Sequence, residues 1–334
     1  MGKTRNLTDK SLKNFLKREP HSLLEISEHF NASPVLIKKM LLNLKENSYD
    51  IKEDSSNLYR LNTDFNKGPV KQGYDPLMWQ GTKFKFAFTS DNHLCNKNSR
   101  EDVLNTLYDI FEDEGIRVVY NGGNWIDGEH RWNKNELFVF GATNQLKYCA
   151  RNFPHREGII TKFVAGDDHE GWYAQREGMD VGDYLVRHRK EDFNYDDFHY
   201  LGYAEADISL SDPEMEHKSF LRVIHAGGGT AYATSYTSQK IVESYQGGEK
   251  PTILLIGHYH KVDYCMPREV HCVQMATTCE QTLFMRKNKI KAELGGGIVE
   301  GRMAPDGTVN RIKVEYITFF DKGFYIGKDK YWKK

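Results

Sequence analysis

Five short polar segments, each directly after an apolar run of strand length, constrain this chain more than any other feature. Asp91-Asn92-His93 follows Phe84 to Thr89, and Gly123-Asn124-Trp125-Ile126-Asp127 follows Val118 to Tyr120. Gly166-Asp167-Asp168-His169-Glu170 follows Ile159 to Val164, His225 follows Phe220 to Ile224, and Gly257-His258-Tyr259-His260 follows Ile253 to Ile256. Helical patterning fills two of the intervals: a helix is expected from Ser99, with Asp102 as capping-box partner, and another from about Asn135 to Arg151. Such alternation predicts a layered α/β domain whose strand ends bring imidazoles and carboxylates together.

In order, the segments resemble the motifs of the calcineurin-like metallophosphoesterases: Asp-x-His, Gly-Asp-x-x-Asp, Gly-Asn-His-Asp/Glu, His and Gly-His-x-His. The resemblance spans roughly residues 84 to 262 and implies a four-layer α/β/β/α sandwich with a dinuclear metal site. Carried over residue by residue, it implies one metal on Asp91, His93 and His260, the other on Asp168, His225 and His258, and a bridge at Asn124. It makes His169 a non-ligand group acting on the leaving oxygen or the transition-state phosphate, with Glu170 orienting its ring. Asp127 is then a carboxylate behind the ligands. Mixed imidazole and carboxylate ligands suit divalent transition metals, Mn2+ first and Fe or Zn2+ as alternatives, better than Mg2+. A pair of such ions about 4 Å apart clamps a phosphate and ionises water, which is phosphoester hydrolysis.

Two positions depart from the pattern. The family's bridging Asp is Asn124 here, and its Asn is Asp168. A neutral amide does little against the repulsion of two adjacent dications, on the order of 15 to 20 kcal/mol at an effective dielectric of 20. Asn124 reads first as an inactivating substitution in an otherwise intact site, and alternatively as a natural exchange compensated by Asp168.

Between residues 9 and 62 the apolar spacing is helical three times over and then changes period, from Tyr49 to Glu53 and from Leu58 to Leu61. Ser22 caps the second helix, Ser33-Pro34 opens the third, and the whole reads as a winged helix-turn-helix over 1–65. Its third helix is expected to expose Lys38, Lys39, Asn43 and Lys45 to nucleic acid, opposite Leu36, Met40, Leu41 and Leu44. Residues 66–82 read as a Gly- and Pro-rich linker, and 83–334 as the catalytic domain. Past about Val270 no chemical motif is legible, and Gly295, Gly296 and Gly297 read as turns. The other eight histidines, His130 among them, read as ordinary hydrogen-bonded residues.

Composition narrows the class. With 46 Lys and Arg against 47 Asp and Glu, the 334-residue chain is no general nucleic-acid coat protein. The first 70 residues hold 12 basic and 9 acidic side chains, so a mild basic excess sits in the N-terminal module. Five cysteines without a Cys-x-x-Cys pair predict free thiols in a reducing compartment. No run approaches the roughly 18 apolar residues of a membrane span, and the N-terminus lacks a signal-peptide core. A cytoplasmic protein without membrane contact is expected.

On substrate, Asp91-Asn92-His93-Leu94 resembles SbcD-type DNA repair exonucleases and small phage and bacterial relatives. Gly128 stands where the Ser/Thr phosphatases carry an Arg, whereas Glu170 resembles the phosphatase form. The winged helix favours a phosphodiesterase acting on DNA or other nucleic acid, with an ATPase or a replication or repair protein as partner. The alternatives are a phosphatase or small-nucleotide phosphodiesterase with a protein-docking module, and a nucleic-acid-binding protein without turnover.

Overall fold

The computed structural model describes residues 6–63, 69–212, 214–229 and 231–319. The chain opens with α1 (Asp9–Leu16), β1 (His21–Ser22), α2 (Leu23–Phe30), α3 (Pro34–Glu46), β2 (Ile51–Glu53) and β3 (Leu58–Leu61). Ser22 and Glu25 form a reciprocal capping box, and Ser33 caps α3 with Pro34 at its first position. The strands pair antiparallel in the order β1-β3-β2 over a core that includes Leu12, Leu16, Ile26, Ile37, Leu41 and Leu44. Leu36, expected in that core, is exposed, because one helical step turns it about 100° from Ile37. Lys38, Lys39, Asn43 and Lys45 are all exposed, and Val35 and Leu42 are exposed among them.

The segment expected to be a linker is largely ordered. Residues 66–68 lie outside the described residues, but β4 (Val70–Gln72), a turn of 3-10 helix at Pro76–Met78 and β5 (Trp79–Gln80) follow. Backbone hydrogen bonding explains the difference: β4 pairs with the distant Ala206 to Ile208, which the local sequence does not reveal, and β5 turns back on the next strand, Trp79 opposite Phe84 and Gln80 opposite Lys83.

The remainder runs β6 (Lys83–Thr89), α4 (Glu101–Asp113), β7 (Val118–Asn121), α5 (Ala142–Asn152), β8 (Ile160–Ala165), α6 (Glu170–Glu177), α7 (Val181–Phe193), β9 (Phe198–Tyr203) and β10 (Glu205–Ser209). It continues with β11 (Phe220–His225), α8 (Tyr236–Ser244), β12 (Ile253–Gly257), β13 (Asp263–Cys265), β14 (His271–Gln274), α9 (Leu283–Asn288), β15 (Leu294–Met303) and β16 (Val309–Phe319). One sheet has the order β16-β15-β6-β7-β8-β9, with β5 also on β6, and the other the order β13-β14-β12-β11-β10-β4. Phe84, Phe86 and Phe88 alternate along β6 into the space between the sheets, where they meet Leu221, Val223 and Leu255. On its other face the first sheet is covered by α4, α5 and α7, and the outer face of the second by α8 through Val242. These are the expected four layers, α/β/β/α.

Three expectations are corrected. α4 starts at Glu101 with no side-chain cap, because Asp102 engages the Arg100 guanidinium at 2.7 and 2.8 Å. The helix expected from Asn135 is a single 3-10 turn at Lys134–Glu136, and α5 begins only at Ala142, after Gly141 with φ +83°. Gly295, Gly296 and Gly297 are not turns but lie inside β15, where a Cβ at Gly297 would stand 2.4 Å from the Phe88 ring.

The N-terminal module is tied to the turn between α6 and α7. The amide of Asp50 donates to Gly178 O at 3.0 Å, that of Asp180 to Ser48 O at 2.5 Å, and Lys17 Nζ to Arg176 O at 2.6 Å. Among the described residues no helix is long and apolar enough to cross a membrane.

Candidate metal centre

The five segments follow β6, β7, β8, β11 and β12, and their loops meet at one end of the two sheets. The backbone there is unusual: Asp91, His93, Asn124, His258 and His260 all have φ between 47° and 89°. Non-glycine residues held in that region are strained, and such strain gathers where side chains must be aimed. Gly166 makes room, since a Cβ there would stand 2.1 Å from Asn124 Oδ1 and 3.2 Å from His225 Nε2.

Three groups of potential ligands form among the described residues, and the third, His93, Asp127 and His169, shares His93 with the first. In the first, His260 Nε2 lies 3.2 Å from Asp91 Oδ1 and from His93 Nε2, and all three residues are buried. In the second, Asp168 Oδ1 and Oδ2 lie 3.5 Å from His225 Nε2 and 3.7 Å from His258 Nδ1. Asp168 is 45% exposed, so this group opens to solvent. Asn124 lies beside the first group, its Nδ2 3.3 Å from Asp91 Oδ1 and its buried Oδ1 without a hydrogen-bond partner among the described residues.

Hydrogen bonds behind the ring nitrogens choose which lone pair faces inward. His225 Nδ1 donates to Gly122 O at 2.7 Å, and His258 Nε2 to Gly228 O at 2.8 Å. His93 Nδ1 donates to Asp127 Oδ1 at 3.0 Å, while Asn96 and Asn133 donate to Asp127 Oδ2 at 2.9 and 2.8 Å. In the neutral ring, each arrangement puts the proton on the outward nitrogen and leaves the inward one free for ligation. Asp127 is therefore placed behind His93.

The electrostatics call for cations. Burial alone would raise the Asp91 carboxyl, but the imidazoles of His260, His225 and His93 outweigh it and hold it well below the usual range. Burial likewise opposes Asp168, and His169, His225 and His258 bring it far down. His225, against its own burial, is pushed up to about 10 by Asp168 and Asp91, whereas burial brings His93 down to about 4. Two imidazole-plus-carboxylate sets with inward ring nitrogens, and an amide oxygen between them, fit a pair of divalent ions whose binding would displace the His225 proton.

His169 is near both groups but is held by Asp127 O, 2.5 Å from its Nδ1. Glu170 does not orient that ring. Its buried Oε1 instead accepts the amides of Asn124 and Gly166 at 2.8 and 2.7 Å, lashing the second loop to the third, and burial raises its carboxyl to about 7. The site opens into a cavity of about 240 Å³ whose wall includes Trp132, Phe284, Met285 and Ile290.

Sequence reasoning missed several contributors. Asn96 and Asn133 carry no motif, although the many Asn residues around 92–98 and 133–135 were a visible sign of local polar networks. His130, read as ordinary, stacks on Trp132 and stands edge-on to His169 at 5.4 Å, and burial lowers it to about 4. The wall from Thr282 to Ile290 lies in the tail where no motif was legible.

No family model matches the chain, and no curated protein matches it. Among solved structures, an archaeal phosphodiesterase shares 13% identity over 71% of this chain and 100% of that one, at a TM-score of 0.36. A Streptococcus pneumoniae protein described as a predicted phosphoesterase shares 14% over 71% and 98%, at 0.31. A Thermus thermophilus 5′-nucleotidase precursor shares 11% over 75% of this chain and 58% of that one, at 0.35. At this level no activity transfers, and the chemistry rests on this chain's own residues.

Proposed function

We propose that this chain is a metal-dependent phosphodiesterase of the calcineurin-like kind that acts on DNA or other nucleic acid. The observation that carries the reading is the pair of Asp/His/His groups, one buried and one open to solvent, on either side of Asn124 at the strand ends. Asp91, His93 and His260 would hold one divalent ion, Asp168, His225 and His258 the other, with Mn2+ favoured over Fe or Zn2+. When bound, the ions supply Lewis acidity and a hydroxide at neutral pH.

The chain's own residues do the rest. Asp127 holds the His93 tautomer, Gly122 O and Gly228 O hold those of His225 and His258, and Glu170 fixes the loop that presents Asn124. His169, 18% exposed and raised from the ordinary histidine value by Asp168 and Asp127 against its burial, is the group placed to give a proton to the leaving oxygen. The N-terminal module is assigned as a winged helix whose Lys38, Lys39, Asn43 and Lys45 contact phosphates.

Metal-dependent hydrolysis of labelled DNA, beside para-nitrophenyl phosphate and bis-para-nitrophenyl phosphate, tests the reading. DNA and the diester turned over in preference to the monoester support it, and monoester turnover alone sinks it. A second reading, with the N-terminal module docking protein, is favoured by Val35 and Leu42 standing exposed among the α3 lysines. Unchanged DNA affinity in a Lys38→Ala/Lys39→Ala/Lys45→Ala variant would support that reading.

A further inference from the structure

The segment from Thr282 to Lys291 is a folded lip on the metal centre. Thr282 Oγ1 caps α9 through the Met285 amide at 3.2 Å, and Leu283 N donates to Glu136 Oε1 at 2.8 Å. Gln281 Nε2 donates to Ile290 O at 2.6 Å, and just beyond the lip Glu293 N donates to the carbonyl of His260 at 3.0 Å. Met285 and Ile290 turn into the cavity. Arg286, Lys287 and Lys289 are exposed and enter no ion pair among the described residues, whereas Lys291 is paired with Glu293.

Opposite the lip stands a ladder of flat rings. His130 is edge-on to His169, Trp132 lies on His130 at 4.5 Å and 7°, and Phe284 of the lip follows at 6.2 Å, tilted by 34°. Trp132 is 61% and Phe284 48% exposed, so a wedge of open aromatic face begins beside the metal centre and ends among cations. Rings left this open at the mouth of a site offer stacking surface to a flat ligand.

We propose that the lip and Trp132 grip a single-stranded nucleic acid, a reading that rests on the phosphodiesterase assignment above. A base beside the scissile phosphodiester stacks in the Trp132–Phe284 wedge, and Arg286, Lys287 and Lys289 hold the phosphates that follow. This combination of stacking faces and a cationic track is what a single strand needs. A duplex keeps its bases stacked on one another, out of the wedge. A phosphoprotein brings no base for the rings, and a mononucleotide has no following phosphates for the lip.

The test is fluorescence anisotropy with a fluorescein-labelled phosphorothioate oligothymidylate, in Mn2+, across a salt series. Trp132→Ala and Phe284→Ala should each weaken binding by about tenfold or more with the salt slope kept. Arg286→Ala/Lys287→Ala/Lys289→Ala should weaken it and flatten the log-log slope by about 2. Arg302→Ala/Arg311→Ala, in the basic row at the other end of β15, removes charge without touching the lip and should change neither. Base-induced quenching of tryptophan fluorescence that is lost in Trp132→Phe gives the same answer without truncating the ring.

Duplex bound as tightly as single strand, unchanged binding in the ring variants, or an equal loss in Arg302→Ala/Arg311→Ala would each overturn the proposal. Hydrolysis of bis-para-nitrophenyl phosphate by the parent protein reports separately on the catalytic reading. Its absence alongside lip-dependent strand binding removes the phosphodiesterase and keeps the grip. Its presence with lip-independent binding does the reverse.

Discussion

Asp127 Oδ1 accepts the Nδ1 proton of His93 at 3.0 Å, and the same carboxylate is braced by the amides of Asn96 and Asn133. Burial raises the Asp127 carboxyl, but His93 and His169 outweigh this and hold it at about 2, so it stays charged through the working pH range. Asp127→Asn leaves all six proposed ligands in place but loses the charge that fixes the tautomer of His93. Its Mn2+ affinity, read by titration, should fall by about 10- to 100-fold. Unchanged affinity would mean that His93 is positioned by something else.

His169 stands outside both Asp/His/His groups, and although it is within ligand-forming reach of His93 and Asp127, its Nδ1 is engaged by Asp127 O. His169→Ala should therefore keep its Mn2+ content and lose turnover by about 10² to 10⁴. Metal loss in that variant, measured by elemental analysis, would make it a ligand.

The six proposed ligands were legible because each follows an apolar strand by one to four residues, and parallel strands of one domain deliver their C-terminal ends to the same edge. Local sequence carries that information. It does not carry the role of Glu170, whose partners are backbone amides of Asn124 and Gly166, since a carboxylate that binds main chain looks like any other carboxylate. Nor does it carry β4, which exists only because Ala206 to Ile208 offers a free edge to Val70 to Gln72. The lip was invisible for a similar reason. Phe284 and its neighbouring cations acquire meaning only from Trp132, some 150 residues earlier, and from the carbonyl of His260.

Away from the site, Arg189 is fully buried and joins α7 to Asp197 through two hydrogen bonds of 2.7 and 2.6 Å. It also donates to the carbonyls of Ala150, Phe153 and Pro154 at the end of α5. Burial opposes the charge on Asp197, but Arg189 and His155 bring its carboxyl below the ordinary value. A lowered folded-state pKa contributes stability that is present above the unfolded value near 4 and lost as pH falls through the folded value. Asp197→Asn should cost about 3 to 5 kcal/mol at pH 7, because the guanidinium is left buried and unpaired. The gap in Tm between variant and parent should narrow as pH drops below about 4. A gap independent of pH would show that the loss is one of packing.

Asn124 and Asp168 exchange the residue types that the family resemblance assigns to them, and the number of carboxylates among the proposed ligands is kept at two. Asp168 presents one oxygen to His225 and the other to His258, at 3.5 and 3.7 Å, which gives each group of ligands one negative charge. That geometry favours the compensated reading, which the following variants test against the inactivated one. Asp168→Asn should then lose one of two Mn2+ equivalents and most of the activity, while Asn124→Asp/Asp168→Asn, which moves the charge back to the bridge, should restore both. Asn124→Asp alone would set three carboxylates around two dications. The added negative charge repels the phosphate and raises the pKa of bound water, so its rate on a diester should be flat or reduced. The three variants are best compared at saturating Mn2+ across a pH series, which separates metal affinity from water ionisation. A rate in Asn124→Asp higher by orders of magnitude at every pH would show instead that Asn124 disables the site.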